Sequence, residues 1–403
     1  MMAFSTTIFS QWYAQPSGTN YALKSLHFTD INTGYACGYN NVLKTTNGGT
    51  NWIKTTLEGN HQSIKFVDIN TGYLAGDSGK IFKTINGGSG WVLQSSGTVS
   101  HLTSVNFFNS QTGIVTGHNK TLLKTTNGGV NWFSISNIVW IVDFLSSKII
   151  DENNYYVTGS DSYIIRTTNG GANWISYTHG EVNPLFTVEF INNSTGFATG
   201  CCGMFMSTTN AGVNWSQNFY LSLGFTFHSL KFINSVTGYC AGSNGMIYRS
   251  TSGGAFWDST VTSTDETIYS VQMVNDNTGW AVGGFGTILK TTNGGGPGFP
   301  IGIEPVSEVI PQKFSLYQNY PNPFNPVTKI IFDISAKDRS ERTKINLSVF
   351  DVTGKQVAEL VNTEIAPGIY EAEFDGSNHP SGVYYYRLTT EGFVETRKMV
   401  LLK

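Results

Sequence analysis

The sequence predicts an all-β chain: a seven-bladed β-propeller closed by its own N-terminal strand, followed by a small β-sandwich domain. Three observations carry this reading. First, variants of the block Thr-Thr-Asn-Gly-Gly-x-Asn-Trp recur every 39 to 42 residues, with the Asn at Asn47, Asn86, Asn127, Asn169, Asn210 and Asn293 and Ser252 in its place once. A period near 40 with room for four short strands is the signature of a propeller blade. Second, six copies end in Trp (Trp52, Trp91, Trp132, Trp174, Trp215 and Trp257), the seventh stops at Gly295 without one, and Gln11-Trp12 stands unmatched near the start. The first strand is therefore expected to complete the last repeat. Third, residues 1–295 carry 13 Lys/Arg and 14 Asp/Glu, whereas the much shorter 296–403 carries 11 and 13. The second region is more than twice as charge-dense, so the two are different kinds of domain.

A second landmark fixes the alignment within the repeat. Asn32-Thr33-Gly34-Tyr35-Ala36-Cys37-Gly38 returns in each copy, and thirteen residues before its last Gly stand Ser25, Ser63, Ser104, Ser146, Thr187, Ser229 and Ser270. In the second copy the four strands are expected near 63–67, 72–76, 80–84 and 91–94, each alternating or β-branched and bounded by Gly, Asn, Asp or Ser. The repeated block itself is a turn. Asn tolerates left-handed φ and can bond nearby backbone, Gly adopts positive φ without steric cost, and the Trp buries a large apolar surface, expected to pin the outer strand.

Composition narrows the function. The net charge is −3 and no basic stripe appears, so nucleic acid is not an expected partner. No apolar run of about 18 residues predicts a transmembrane helix. Cys37 and Cys240 fall on second strands of non-adjacent repeats, and Cys201-Cys202 are neighbours at a hairpin tip, either free thiols or a vicinal pair. No Cys/His spacing suits zinc, so neither metal nor cofactor is expected. Residues 1–10 are mildly apolar without a basic start and read as a signal-peptide remnant. The domain bounds are then 11–295 for the propeller, 296–312 for a Pro/Gly-rich linker and 313–403 for the sandwich.

The block fits Ser/Thr-x-Asp/Asn-x-Gly-x-x-Trp, so residues 11–295 resemble the Asp-box (BNR-repeat) propellers, which include sialidases, sortilin-type receptors and photosystem II assembly-factor-like proteins. The resemblance implies that the box lies on the face opposite the binding site. A sialidase clamps a carboxylate with three arginines, but this region has only Arg166 and Arg249, both aligned with Lys44, Lys83, Lys124 and Lys290 just before the box. They are repeat-position residues, which excludes that activity.

The tail carries Tyr320-Pro321-Asn322-Pro323-Phe324-Asn325-Pro326, Asp351-Val352-Thr353-Gly354-Lys355, Pro367-Gly368-Ile369-Tyr370 and Ser381-Gly382-Val383-Tyr384-Tyr385-Tyr386-Arg387-Leu388, then a basic C-terminus. About seven strands are expected. The motifs and their order resemble the type A C-terminal sorting domain of the type IX secretion system. That resemblance implies a cargo protein secreted from, or held on the outer surface of, a Gram-negative bacterium, with the secretion machinery as partner through residues 313–403.

Two sets of residues are candidates for function. Two positions after the hydroxyl ring stand His27, Lys65, Asn106, Lys148, Glu189, Lys231 and Gln272. Strand alternation puts them on the hydroxyl side, lining an axial channel that is either merely hydrated or mildly cationic toward a ligand. At the mouth, Phe186, Phe225, Phe227, His228, Tyr269 and Phe285 could stack on sugar rings or hold a peptide, or could be inter-blade packing. Trp140 marks the irregular fourth entrance, where the repeat breaks. The function expected is non-enzymatic recognition of a glycan or protein. The alternative is a glycoside hydrolase or lyase using mouth-loop carboxylates drawn from Glu58, Asp77, Asp161, Glu181, Asp265 and Glu266.

Overall fold

The computed structural model describes residues 11–138, 142–180, 182–220, 225–255, 257–260, 262–295, 303–307, 311–335, 343–365 and 367–403. The expected signal remnant lies outside them. The chain divides into two compact units, Met1–Pro297 and Gly298–Lys403.

The first unit is all-β. The third repeat shows the pattern most plainly: Leu102–Phe107, Gly113–Gly117, Thr121–Thr125 and Phe133–Ser134 form one antiparallel four-stranded sheet in sequence order. Repeats four, five and six do the same. The first two repeats depart from expectation by sharing a six-stranded sheet, because Gly34–Thr45 and Ile53–Phe66 each run on as one long strand. The Asn40 side chain accepts a hydrogen bond from the Gly59 N–H at 2.8 Å, and Tyr39 pairs with Asn60, so the connection becomes part of the ribbon. In the last repeat, Ile268–Met273, Gly279–Gly283 and Ile288–Thr291 take their fourth strand from Tyr13–Gln15, with Tyr13 opposite Lys290 and Gln15 opposite Ile288.

Each link inside a repeat has a local cause. Between first and second strands, the side-chain oxygen of Asp30 accepts the N–H groups of Asn32 and Thr33 at 2.7 and 2.8 Å, and Asp68, Asn109, Asp151, Asn192, Asn234 and Asn275 repeat this turn. In the box, Thr45 Oγ1 accepts the Gly49 N–H at 2.9 Å while donating to Asn47 Oδ1, which accepts the Asn51 N–H at 3.0 Å. Gly48 and Gly49 stand at φ 65° and 86°, where a side chain is strained.

That turn is also the joint between repeats. The Gly87 carbonyl accepts both the Tyr35 hydroxyl at 3.0 Å and Lys44 Nζ at 2.7 Å, side chains of the preceding repeat. Gly128 receives Tyr73 and Lys83 in the same way, and Ala211 receives Tyr156 and Arg166. Gly48, in the first repeat, receives Trp280 and Lys290 from the last. The repeat-position cations are thus clamps on the neighbouring turn. Beside them, Phe66 stacks on Tyr35 at 3.8 Å and meets Trp91 edge-on at 6.0 Å, so the box Trp braces a first-strand ring rather than only the outer strand. Phe107 and Phe190 are held likewise. Trp12, wholly buried, packs with Tyr239 and Met273 in the last repeat, the place the missing box Trp would fill.

The second unit stacks two four-stranded sheets on one apolar core that includes Phe332, Ile345, Leu347, Tyr386 and Met399. Among the described residues it has eight strands, where about seven are expected. The addition is Ile303–Ser307, read in sequence as linker, which pairs with Gly368–Asp375. The Pro-rich motif is tied to the last strand: Phe324 is buried, its N–H donates to the Val400 carbonyl at 2.9 Å, and Asn322 Oδ1 accepts the Val400 N–H at 2.9 Å. Among the described residues no helix is long and apolar enough to cross a membrane.

The glycine ending each second strand is required by close approach. A Cβ on Gly242 would stand 2.0 Å from the Thr226 carbonyl oxygen, and the equivalents on Gly76 and Gly200 would stand 2.3 and 2.0 Å from backbone oxygens. Gly242→Ala is expected to destabilise the first unit by about 1–3 kcal/mol through this overpacking. Urea unfolding followed by tryptophan fluorescence measures it, since all nine Trp residues lie before residue 296.

Candidate functional site

Every first strand begins with the same irregularity. Leu102 pairs with Gly117 and Ser104 with Thr116, leaving Thr103 as an extra residue, and the register shifts identically at Lys24, Gln62, Leu145, Phe186, His228 and Tyr269. A bulge of this kind locally suspends the alternation of side chains. All seven bulge residues, the seven hydroxyl residues and all seven of the polar residues expected in the channel line one cavity of about 390 Å³. Strict alternation predicts the last two tiers and misses the first.

The hydroxyl tier joins neighbouring repeats. Ser25 Oγ accepts the Ile64 N–H at 3.2 Å, Ser63 Oγ the Val105 N–H at 3.1 Å and Ser229 Oγ the Val271 N–H at 3.2 Å. From the last repeat back to the first, Ser270 Oγ accepts the Leu26 N–H at 3.4 Å, and the Gln272 amide bonds both the N–H and the carbonyl of Phe28 at 3.0 Å. Asn106 closes the step from third to fourth by donating to the Ser147 carbonyl at 2.7 Å.

The polar tier concentrates charge on one side. Glu189, buried, receives Lys148 on one carboxylate oxygen and Lys231 at 3.0 Å on the other. Burial alone would raise its pKa, but the two ammonium groups outweigh that and hold it at about 2. Lys65, across the cavity, has no such partner: burial and the repulsion of Lys231 and Lys148 lower it to about 8, against the weaker pull of Glu189. His27 is held well below its ordinary value by burial, then by Lys65 and Lys231, and is neutral at pH 7.

At the mouth, the bulge residues of four consecutive repeats form a row. Phe186 and His228 stand 5.1 Å apart between ring centres, His228 and Tyr269 also 5.1 Å, and Lys24 Nζ sits 3.5 Å over the Tyr269 ring. Burial and the charge of Lys24 lower His228 to about 4, so it stays an uncharged ring near neutrality. The facing half, Gln62, Thr103 and Leu145, carries no aromatic.

Three of the mouth candidates are placed elsewhere. Phe227, one residue before its bulge, is wholly buried in the core with Phe205 and Tyr248, which removes it as a ligand contact. Phe225 packs against the same core. Phe285 is 75% exposed at the turn Gly284–Gly286, away from the cavity lining. Trp140 lies outside the described residues, as does Glu181. Of the described mouth-loop carboxylates, none lines the cavity, and Glu189 is the one carboxylate that does. Cys201 and Cys202 hold their sulfurs 2.8 Å apart as thiols, while burial pushes up the pKa of Cys37 and Cys240.

Comparison with known proteins accords with this arrangement. Residues 318–402 match the model of the secretion system C-terminal sorting domain, and residues 53–138 that of the photosynthesis system II assembly factor YCF48. The chain joins an assembly-factor-like β-propeller to a secretion sorting tail. Among solved structures, YCF48 bound to D1 peptide is similar with a TM-score of 0.60 at 18% identity, over 71% of this chain and 98% of that one. YCF48 from Cyanidioschyzon merolae gives 0.60 and 18%, over 70% and 99%. The WD40 β-propeller domain of Doa1 gives 0.57 and 11%, over 70% and 97%. At these identities the likeness shows the propeller fold alone. No curated protein matches the chain. The sorting tail marks the protein for export.

Glu189 gives the propeller a defined acid response. Because its folded pKa is depressed, its ion pairs stabilise the fold fully above its unfolded value near 4.3, and that stability is lost as pH falls toward about 2. Glu189→Gln is expected to cost about 1–3 kcal/mol at pH 7 and to flatten the pH 4.5–2 arm of a tryptophan-detected unfolding series. The figure stays under the about 3–5 kcal/mol of a fully buried pair because Lys148 and Lys231 remain 31% and 48% exposed.

Proposed function

We propose that the protein is a secreted or surface-held recognition module, a seven-bladed ring closed by its N-terminal strand that binds a glycan or protein at the mouth of its axial cavity without chemistry. Support for the ring comes from the hydroxyl and box-turn hydrogen bonds, which pass from repeat to repeat and return from the seventh to the first, and from the pairing of Tyr13–Gln15 with Ile288–Thr291. The observation that carries the recognition reading is the row Phe186, His228, Tyr269 and Lys24, an aromatic platform capped by a cation and opening onto the cavity. Rings so placed stack on the apolar faces of sugars or on peptide side chains. A fold relative holds a peptide, so peptides belong in the screen beside glycans.

The hydrolase alternative lacks its chemistry at this cavity. A glycoside hydrolase needs two carboxylates across a cleft, one of them protonated to serve as acid. Glu189 is single, ion-paired on both oxygens and ionised far below neutrality.

Screening the full chain on glycan and peptide arrays, with a reducing-sugar assay on every glycan bound, is expected to give binding without product. Tyr269→Ala should weaken that binding about tenfold or more, in line with the loss of an aromatic contact of about 1–3 kcal/mol. Released sugar, or binding unmoved by Tyr269→Ala, would sink this reading.

The resemblance of the tail supports delivery across the outer membrane of a Gram-negative cell by a type IX system. In a host with that system, the full chain is expected outside the cell and a chain ending at residue 312 inside the envelope, as read by cell fractionation.

A further inference from the structure

We propose that the axial cavity is a seat for a single oxyanion group, a carboxylate or a sulfate, held by the Lys65 ammonium and by hydroxyl donors of the serine tier. The cavity wall offers more cations than the fold uses. Glu189 engages Lys148 and Lys231, whereas Lys65 makes no hydrogen bond or ion pair among the described residues. An ammonium drawn out of bulk water without a counter-ion is costly, and proteins seldom keep one except where an anion will meet it.

The hydroxyls point the same way. The oxygens of Ser25, Ser63, Ser229 and Ser270 each accept a backbone N–H from the adjacent repeat. A hydroxyl has one proton to give, and among the described residues none of these four gives it to a protein acceptor. Four O–H donors and one unneutralised ammonium therefore share a cavity of about 390 Å³ whose only carboxylate is occupied. An unpaired ammonium beside unspent hydroxyl donors selects an anion over a cation.

Lys65 must be protonated to act. The groups facing it around the ring are His27, Lys148, Glu189 and Lys231, with neutral Asn106 and Gln272 between. Burial and the two lysines lower its pKa to about 8, so the ammonium is mostly present at pH 7 and mostly lost at pH 9. An anion on Lys65 raises that value, so binding near pH 8 takes up a proton. The seat extends the recognition reading by naming the chemistry of the ligand's inner end. Small anions test it without a glycan or peptide, so the two readings fail separately.

The test is calorimetric titration of the full chain with sulfate and with glucuronate, neither of which changes charge between pH 7 and 9, and with glucose as the neutral probe. Expected are binding of one or both anions at pH 7, none of glucose, and about tenfold weaker binding at pH 9. Proton uptake near pH 8 should appear as a buffer-dependent heat. Lys65→Met should bind at least tenfold more weakly at pH 7 and lose the pH dependence, while its melting temperature holds or rises because an unpaired buried charge is gone. Binding of sulfate alone or of glucuronate alone would identify which oxyanion the seat prefers, and either supports it. No anion binding by the wild type, or equal binding by a folded Lys65→Met, overturns the proposal. If that variant fails to fold, the wild-type pH profile decides: affinity unchanged from pH 7 to 9 overturns it.

Discussion

One box-turn carbonyl, shared with the neighbouring repeat, carries most of the junctions. The residue after the box Asn offers its carbonyl to the preceding repeat, which fills both lone pairs at Gly48, Gly87, Gly128 and Ala211, as Tyr35 and Lys44 do at Gly87. Such a turn is satisfied only when its neighbour is present. The first-strand ring beside it has the same dependence, since Phe66 needs Tyr35 on one face and Trp91 at its edge. No repeat completes itself, so stability is a sum of junctions and the order of repeats becomes a cooperative whole. In the fifth repeat Phe197 and Ser207 stand at the clamp positions, and Phe197 stacks on Phe232 of the sixth.

Much of this was legible because a repeat writes the same physical requirement seven times. The offset from hydroxyl to glycine marked the first strand, and period-two alternation then put His27, Lys65, Asn106, Lys148, Glu189, Lys231 and Gln272 on one side, where the cavity lies. What alternation could not reveal is the bulge, a backbone event that leaves no residue type behind. It moves the lining one place along the strand, which is why Phe227 sits in the core while its neighbour His228 meets the cavity. A signal did exist in the glycine ending each second strand, whose Cβ would strike the backbone just before the bulge. The strand Ile303–Ser307 was hidden for another reason: Pro305 and the surrounding Pro/Gly composition resemble a linker, and edge strands tolerate proline.

The repeats are near copies wherever they touch one another and diverse wherever they face the axis. Glycine, hydroxyl and aromatic positions are bound by junction geometry. The polar tier meets no single geometric demand, and there the chain places three lysines, a histidine, a glutamate and two amides. The charges cluster accordingly, with Glu189 bridging Lys148 and Lys231 on one arc and Lys65 on the other. The mouth is split in the same sense, aromatic over the later repeats and without an aromatic over Gln62, Thr103 and Leu145.

The bulge separates two jobs that strands usually combine. Its extra residue belongs to no ladder pair and to no core cluster, so Lys24, Gln62, Leu145, Phe186, His228 and Tyr269 are free of the hydrogen bonds that join repeats, whereas the Thr103 hydroxyl donates to the Phe144 carbonyl of the next repeat at 2.8 Å. Positions of this kind amount to a combination lock, whose tumblers can be turned while the junctions hold. Descendants of such a propeller can acquire new ligands by single substitutions, and a designer could treat these bulge positions as a randomisable surface on a fixed scaffold.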